Sequence, residues 1–217
     1  MGTQEKECKN TRERILEVAC EVFAQQGFHN TTIRDICQQA QVNVAAINYY
    51  FKSKEKLYEE VCKYIFGFSA KNDDPRFSLG ESKKPEERLR VFIRSFLLNI
   101  LGKDRSNRRE IIMGREMIEP TGAFNIVIKD MIKPRFQQLH SIVKALLGKG
   151  TEDALVRRCC FSIVGQCLYY RFARPVVLKL NPQQKYDKEG IEKLADHITQ
   201  FSLIAITQLA LENKERK

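Results

Sequence analysis

Hydrophobic residues recur at intervals of three and four along most of the 217-residue chain, the spacing that places them on one face of an α-helix. The first such stretch predicts a helix from about Thr11 to Gln26, which Gly27 is suited to end. Valine, isoleucine and threonine form no alternating runs between turn residues, and no Asn-Gly pair indicates a hairpin. The pattern therefore predicts an all-α fold.

The remainder of the chain repeats this pattern between polar segments. Residues 70–84 are predicted to form a loop, and residues 102–109 are predicted to form a charged break. Pro134 lies inside a long apolar-striped stretch and predicts a bend, because proline lacks the N–H group that a helix uses. Pro175, Pro182 and a polar stretch are predicted to separate the last two helices. The later helices are predicted at about 54–68, 85–101, 110–118, 121–147, 152–172 and 187–211.

Residues 31–51 have the pattern of a helix-turn-helix. Thr32 or the threonine before it can cap a first short helix whose apolar residues lie on one side. The chain then turns over three residues to Asn43, which can cap a second short helix over residues 44–51. Two short helices joined by a tight turn, with a longer helix before them to pack against, are typical of a DNA-binding helix-turn-helix.

A helical wheel divides the second short helix into a core side and a free side. If Ile47 points inward, Phe51 and Val44 lie near it, since successive residues are about 100° apart. The opposite side then presents Ala45 and Tyr49, flanked by Ala46 and Asn48. Small side chains allow close approach to the major groove, and asparagine matches the hydrogen-bonding edge of adenine. This side therefore predicts contacts with bases, while tyrosine hydroxyls, Lys54 and the amides at Thr32 are suitable donors to phosphate.

A longer pattern connects these residues to a known family. The residues T-T-x-R-D-I-x-x-x-A-x-V, followed by Y-Y-F-x-S-K-E-x-L, run from Thr31 to Leu57 and resemble the signature of the TetR family of bacterial regulators. The resemblance is strongest over residues 11–62, and residues 115–136 are similar to the CecR-like branch of that family. It implies contacts with DNA bases or phosphates from Thr32, Val44, Ala45, Ala46, Asn48, Tyr49, Tyr50 and Lys54.

The turn of the motif departs from the family pattern. The family usually has glycine there, and this chain has Gln41. If the turn keeps its left-handed residue, Gln41 costs about 1 kcal/mol that glycine would not.

The two predicted C-terminal helices carry apolar stripes, from Leu155 to Tyr170 and from Ile191 to Leu209. Core packing accounts for part of each stripe. A single recognition helix contacts few base pairs, so affinity requires a second half-site about one DNA turn away. In the family these helices pair across a two-fold axis, so the resemblance implies a homodimer on pseudo-palindromic double-stranded operator DNA. The predicted domains are a helix-turn-helix domain over 9–53 and a helical effector-binding and dimerisation domain over 54–217.

The middle helices combine apolar side chains with a few polar groups, which suits either a small-molecule pocket or an ordinary core. The resemblance implies a pocket for an effector. Arg94 and Glu116 are possible polar contacts, although charges at such positions are more often solvated or structural. The candidate effector contacts are Phe96, Met113, Arg115, Met117, Phe124 and His140.

The charge of the chain does not locate a DNA-binding surface. Lys and Arg number 37 against 27 Asp and Glu, a net charge of +10, but residues 1–56 hold 8 basic and 7 acidic residues. The basic excess therefore favours long-range attraction to DNA and leaves the contact surface to be inferred from the motif.

Other chemistry finds little support in the sequence. Seven cysteines without metal-ligand spacing are predicted to be mainly reduced core thiols, although Cys159 and Cys160 leave open a thiol- or redox-responsive regulator of the same fold. No catalytic, phosphate-binding or dinucleotide motif is present, so we expect no enzyme, metal or cofactor. No apolar run suits a signal peptide or a membrane span, which predicts a cytoplasmic protein. The sequence thus predicts a DNA-binding transcriptional repressor that a small-molecule effector releases from its operator.

Overall fold

The computed structural model describes residues 2–71, 84–102 and 107–215, and in these ranges all regular secondary structure is helical. This confirms the predicted all-α class. Within the same ranges, no helix combines the length and apolar character needed to span a lipid bilayer. The helices are α1 (Gly2–Gln26), α2 (Ile33–Ala40), α3 (Val44–Phe51), α4 (Lys54–Lys71), α5 (Pro85–Leu101), α6 (Asn107–Ile118), α7 (Phe124–Val127), α8 (Lys133–Leu147), α9 (Asp153–Phe172), α10 (Arg174–Leu180) and α11 (Lys188–Glu215), with a π-helical segment at Ile128–Ile132.

The chain divides into two compact units, each with its own apolar core. The N-terminal unit comprises residues 1–72 and 105–133, and its core includes the fully buried side chains of Phe23, Ile36, Ile47, Leu57, Phe66 and Ile112. The C-terminal unit comprises residues 73–104 and 134–217, and its core includes Leu89, Ile93, Leu139, Ile142 and Ile198. The domain boundary predicted between residues 53 and 54 falls within the N-terminal unit and stays a prediction.

Several predicted helix ends agree with the structure. α1 ends at Gln26, and Gly27 takes the left-handed conformation (φ 81°) that commonly follows a helix. α5 spans Pro85–Leu101 as predicted, with proline in the first turn, where its missing N–H is not needed. α4 continues to Lys71, and most of the loop predicted over 70–84 lies outside the described residues.

The charged break predicted over 102–109 is too long. α6 already begins at Asn107. Arg108 in its first turn donates a hydrogen bond to Glu21 of α1 (Nη1 to Oε1, 2.9 Å). The charged residues of this stretch therefore belong partly to a helix that pairs with its neighbour, which a composition-based reading does not reveal.

Pro134 is accommodated inside a continuous helical stretch where the sequence predicts a bend. The π-helical segment Ile128–Ile132 ends two residues before Pro134 and joins α7 to α8. Proline cannot donate to the carbonyl four residues earlier, and a widened turn is a common response to a lost bond in the helical ladder.

The connection between the two long C-terminal helices contains a short helix, α10, that the sequence pattern did not predict. Pro175 occupies the first turn of this helix, where proline starts a helix rather than ending one. Val177 anchors α10 by burying its side chain. In the sequence, Pro175 could either begin a helix or interrupt one, and the packing of Val177 decides that it begins α10.

Candidate nucleic-acid interface

A closed set of hydrogen bonds begins α2. The hydroxyl of Thr32 accepts from the amide of Asp35 at 3.2 Å. In return, Asp35 Oδ2 accepts from the hydroxyl of Thr32 at 2.7 Å and from its amide at 2.8 Å. These two donors, the hydroxyl foremost, lower the pKa of Asp35 below its usual range. The predicted phosphate contact of Thr32 stays a prediction, and it requires the hydroxyl hydrogen to leave Asp35.

The turn between α2 and α3 depends on the conformation of Gln41. Its φ of 52° and ψ of 48° are left-handed, as the sequence predicts for a turn that lacks the usual glycine. The amide of Gln41 donates to the carbonyl of Gln38 at 3.4 Å, and the amide of Val42 donates to that of Cys37 at 3.1 Å. This pair of bonds satisfies two of the last four carbonyls of α2 and fixes the direction in which the chain leaves it.

One side of α3 is held by the core. Asn43 caps the helix, since its Oδ1 accepts from the amide of Ala46 at 2.8 Å. Ile47 and Phe51 are buried as the helical wheel predicts, at 0% and 2% exposure. Val44, which the wheel places near Ile47, is 44% exposed, and its contact with DNA stays a prediction. As the first residue of α3, its side chain leans past the start of the helix, where no earlier turn covers it.

The opposite side of α3 is open to solvent. Ala45 and Asn48 are exposed, Tyr49 is 71% exposed, and Ala46 is half-buried against the core. The rings of Tyr49 and Tyr50 meet edge to face, with centroids 5.0 Å apart. The structure thus presents these residues together on one helix, and their contacts with DNA stay a prediction.

Lys54 has a structural role that the sequence analysis missed. Its Nζ donates to the carbonyl oxygens of Phe28 and Thr31, both at 3.0 Å, and lies 4.5 Å from the centroid of the Phe28 ring. Two of its three ammonium hydrogens are therefore engaged within the protein, and its contact with phosphate stays a prediction. Lys54 joins the start of α4 to the segment that precedes α2.

Four of the predicted effector contacts lie in the N-terminal unit. Met113 packs partly buried against its core, Phe124 is half-buried, and Met117 is 44% exposed. Arg115 is engaged elsewhere, because its Nη2 donates to the carbonyl oxygen of Gln25 at 3.0 Å. None of these observations tests the predicted effector contact.

The other two predicted effector contacts lie in the C-terminal unit. Phe96 stacks on Phe92, with centroids 6.2 Å apart, and His140 Nε2 lies 2.7 Å from Asp153 Oδ1. Asn99 is a further polar residue of this unit that no sequence pattern marks. Its Oδ1 is buried and, within the described part of the chain, has no hydrogen-bond partner. Asn99 differs from a solvated asparagine only in its burial, and that burial follows from how the helices pack.

The described cysteines are buried, as predicted for core thiols. Burial raises the pKa of Cys160 from 9.0 to about 12, and it also raises that of Cys159. A thiol needs a low pKa and access to solvent to act as a sensor, so the structure does not favour the thiol-responsive alternative. Among the residues that the structure describes, no group of three His, Cys, Asp or Glu side chains could hold a metal ion.

The helix-turn-helix and the helical units define a DNA-binding regulator of transcription. The family model "Bacterial regulatory proteins, tetR family" matches residues 15–61. The model "HTH-type transcriptional dual regulator CecR, C-terminal domain" matches residues 85–206, more than half of the chain. The chain belongs to the TetR family of transcriptional regulators, in the branch that carries a CecR-type C-terminal domain.

Two curated relatives and two solved structures agree with this assignment. HTH-type transcriptional dual regulator CecR of Shigella flexneri is 26% identical over 202 residues, which cover 88% of this chain and 89% of that protein. HTH-type transcriptional repressor NicS of Pseudomonas putida is 34% identical over 93 residues, 42% of each chain. Two solved structures have the same fold: FadR from Bacillus subtilis in complex with stearoyl-CoA, with a TM-score of 0.61, and AibR in complex with isovaleryl coenzyme A and operator DNA, with a TM-score of 0.60. Each is 19% identical to this chain, and each match covers 88% of this chain and 97% of the other.

Proposed function

We propose that the chain is a homodimeric repressor that reads a pseudo-palindromic operator through α3 and leaves it when a small-molecule effector binds. The observation that carries the proposal is the division of α3 into two sides. Ile47 and Phe51 hold the helix to the core, while Ala45, Asn48 and Tyr49 are exposed on the other side.

These exposed residues suit the major groove of DNA. Asn48 can form a bidentate pair with adenine, and the short side chain of Ala45 lets the helix backbone approach closely. Donors to phosphate, including Tyr49 and amides in the first turn of α2, then fix the register of the helix on the duplex.

The dimer is supported by apolar side chains that the C-terminal unit leaves exposed. They lie on α9, α10 and α11, and a second copy of the chain would shield them from water. Two recognition helices in one dimer would also supply the second half-site that a single short helix needs. These exposed side chains are Phe161, Tyr169, Phe172, Val176, Leu178, Leu180, Phe201, Ile204 and Leu211.

The effector part of the proposal is supported by Asn99 and by two structural relatives. Asn99 is 9% exposed, and a buried acceptor without a donor costs about 1–3 kcal/mol, which an N–H or O–H group of a ligand would remove. Phe96, on the same helix, offers an aromatic surface nearby in sequence. FadR and AibR are solved with acyl-coenzyme A molecules, which combine such donors with an apolar tail. We therefore propose acyl-coenzyme A thioesters as the effector class.

The experiment begins with selection of DNA fragments from a random pool by the full chain. The selected operator is labelled, and its release is followed by fluorescence anisotropy with isovaleryl-CoA, stearoyl-CoA or free coenzyme A. We expect one thioester to weaken operator affinity at least about tenfold, free coenzyme A to have little effect, and Asn99→Leu to reduce the response. A reporter with the operator over its promoter should lose expression when the chain is present.

The outcomes separate the parts of the proposal. Failure to enrich any sequence would contradict DNA reading. Enrichment without release by either thioester would contradict the effector class and leave DNA reading intact. Increased reporter expression would contradict repression.

A further inference from the structure

Glu116 of α6 is a buried carboxylate with three donors aimed at it. It is 1% exposed. Its Oε1 accepts from the hydroxyl of Tyr58 at 2.9 Å and from that of Thr121 at 3.0 Å, and its Oε2 accepts from the amide of Thr121 at 3.1 Å. A carboxylate is costly to bury unless donors surround it, so this arrangement defines the position of Tyr58 on α4 relative to α6 closely.

Tyr58 extends this contact to the segment that precedes α2. Its ring centroid lies 4.8 Å from that of Phe23 on α1 and 5.0 Å from that of Phe28. The ammonium group of Lys54 in turn donates a hydrogen bond to the carbonyl oxygen of Phe28 and lies over the Phe28 ring. Burial chiefly raises the pKa of Tyr58, so its hydroxyl keeps its proton and remains a donor at neutral pH.

Arg115 reaches the other end of the same segment. Its guanidinium donates to the carbonyl oxygen of Gln25 at the C-terminus of α1, where the helix dipole favours a positive charge. It also lies directly over Gly27: a Cβ atom at Gly27 would come within 2.6 Å of Arg115 Nη1. Gly27 thus adopts a positive φ of 81° that favours glycine, and a Cβ atom there would also displace the guanidinium of Arg115.

We propose that Arg115 and Glu116 are positioning residues for DNA reading. From α6, Arg115 bonds Gln25 directly, and Glu116 positions Tyr58, whose ring packs against Phe28. The segment 25–28 leads into α2 and therefore sets the direction of the helix-turn-helix. Neither side chain contacts DNA itself. This role replaces, for Arg115, the effector contact expected from the sequence, and it rests on the operator binding proposed above.

The first test separates the hydrogen bond of Tyr58 from its ring. Tyr58→Phe removes the hydroxyl and keeps the ring contacts; Glu116→Gln keeps the size of the side chain and removes its charge. At a temperature well below unfolding, we expect each to lower affinity for the selected operator about tenfold, or 1.4 kcal/mol, with affinity for random DNA unchanged. The double variant should lose less than the sum of the two single losses, because both changes act on the hydrogen bond between Tyr58 and Glu116.

A matched control comes from the C-terminal unit. Tyr186 is buried like Tyr58, and its hydroxyl lies 3.5 Å from the carbonyl oxygen of Tyr170. Tyr186→Phe should lower the melting temperature slightly and leave operator affinity unchanged. If Tyr58→Phe and Glu116→Gln behave in the same way as this control, the two residues are only structural and the proposal is overturned.

A second pair of variants tests Arg115 even if the Glu116 variants fold poorly. Gly27→Ala and Gly148→Ala introduce the same strain, since φ is 81° and 90°, but only the Cβ at residue 27 would meet Arg115. We expect Gly27→Ala to reduce operator affinity about tenfold more than Gly148→Ala, and Arg115→Ala to add nothing to the Gly27→Ala loss. Equal losses from the two glycine variants, with wild-type operator binding intact, would overturn the role of Arg115. Absence of any wild-type operator would instead contradict the proposed function.

Discussion

The ammonium group of Lys54 lies 3.0 Å from the carbonyl oxygen of Phe28 and 4.5 Å from the centroid of its ring. A second bond of 3.0 Å reaches the carbonyl of Thr31, just before the residue that caps α2. Lys54, at the start of α4, therefore holds the segment between α1 and α2 in place. Its third hydrogen is the one that the predicted phosphate contact would use.

This geometry predicts that Lys54→Ala affects stability as well as DNA binding. The free energy of unfolding, measured in urea, should fall by about 1–2 kcal/mol, because two carbonyls lose a charged donor and Phe28 loses its cation. Lys56 provides the control: it forms an exposed pair with Glu59, and Lys56→Ala should change stability by less than about 0.5 kcal/mol.

DNA binding distinguishes the two roles of Lys54. If its remaining hydrogen binds phosphate, Lys54→Ala also reduces the slope of log binding constant against log salt concentration by about 1. Equal stability of the Lys54→Ala and Lys56→Ala proteins would contradict the structural role.

Gln41→Gly should stabilise the protein. Gln41 adopts a φ of 52°, a conformation that glycine takes without steric cost, so we expect a gain of about 0.5–1 kcal/mol in urea unfolding. Gln39→Gly is the control, because Gln39 lies within α2. Glycine is unfavourable inside a helix, so this variant should lose up to about 1 kcal/mol of unfolding free energy. A loss of stability from Gln41→Gly would show that its side chain contributes more than its backbone costs.

Features of the fold that depend on near neighbours in sequence were predictable. The cap at Asn43 and the left-handed turn at Gln41 involve groups within five residues of one another. The contact of Lys54 with Phe28 spans 26 residues, and that of Tyr58 with Glu116 spans 58. No local pattern encodes such contacts, since they depend on how whole helices pack.

Burial also decides what periodicity leaves open. In the sequence, Arg115 and Glu116 are candidates either for effector contacts or for structural charges. Their hydrogen bonds support a structural role. Val44 has the periodicity of a core residue, yet its position at the start of α3 leaves it exposed. Asn99 gives no signal in the sequence, because its unpaired oxygen follows only from the helices around it.

The proposed dimer predicts that a charge on the exposed face of α11 separates the subunits. Ile204 is 65% exposed in the single chain, and Ile204→Glu should give a monomer with near-nonspecific DNA affinity, as judged by light scattering and operator binding. Ile118, on α6, is 84% exposed and offers the same substitution as a control, which should remain dimeric. A dimeric Ile204→Glu protein with full operator affinity would exclude this face from the interface.

The buried thiols predict slow alkylation and a specific pH dependence. Burial raises the pKa of Cys160 and Cys167 from 9.0 to about 12. The folded-state pKa is the higher one, so these thiols contribute their full stability below about pH 9 and lose it as the pH rises towards 12.

The matching experiment uses a Cys8→Ser variant, so that the remaining six cysteines are all buried ones. Iodoacetamide at about pH 8 should modify the native protein slowly, and the unfolded protein quickly, without releasing the operator. Fast native modification coupled to operator release would favour a thiol-responsive regulator instead.

The claim that α3 reads the DNA sequence is tested most directly by selecting DNA with wild-type protein, Asn48→Ala and Asn125→Ala in parallel. Asn125 is an exposed asparagine of α7 and serves as the control. We predict that wild type and Asn125→Ala enrich the same pseudo-palindrome, whereas Asn48→Ala loses about 1–3 kcal/mol on it and accepts other base pairs at one position of each half-site. Affinity for random DNA should be the same for all three proteins. An unchanged base preference in Asn48→Ala, or equal losses on operator and random DNA, would contradict sequence reading by Asn48.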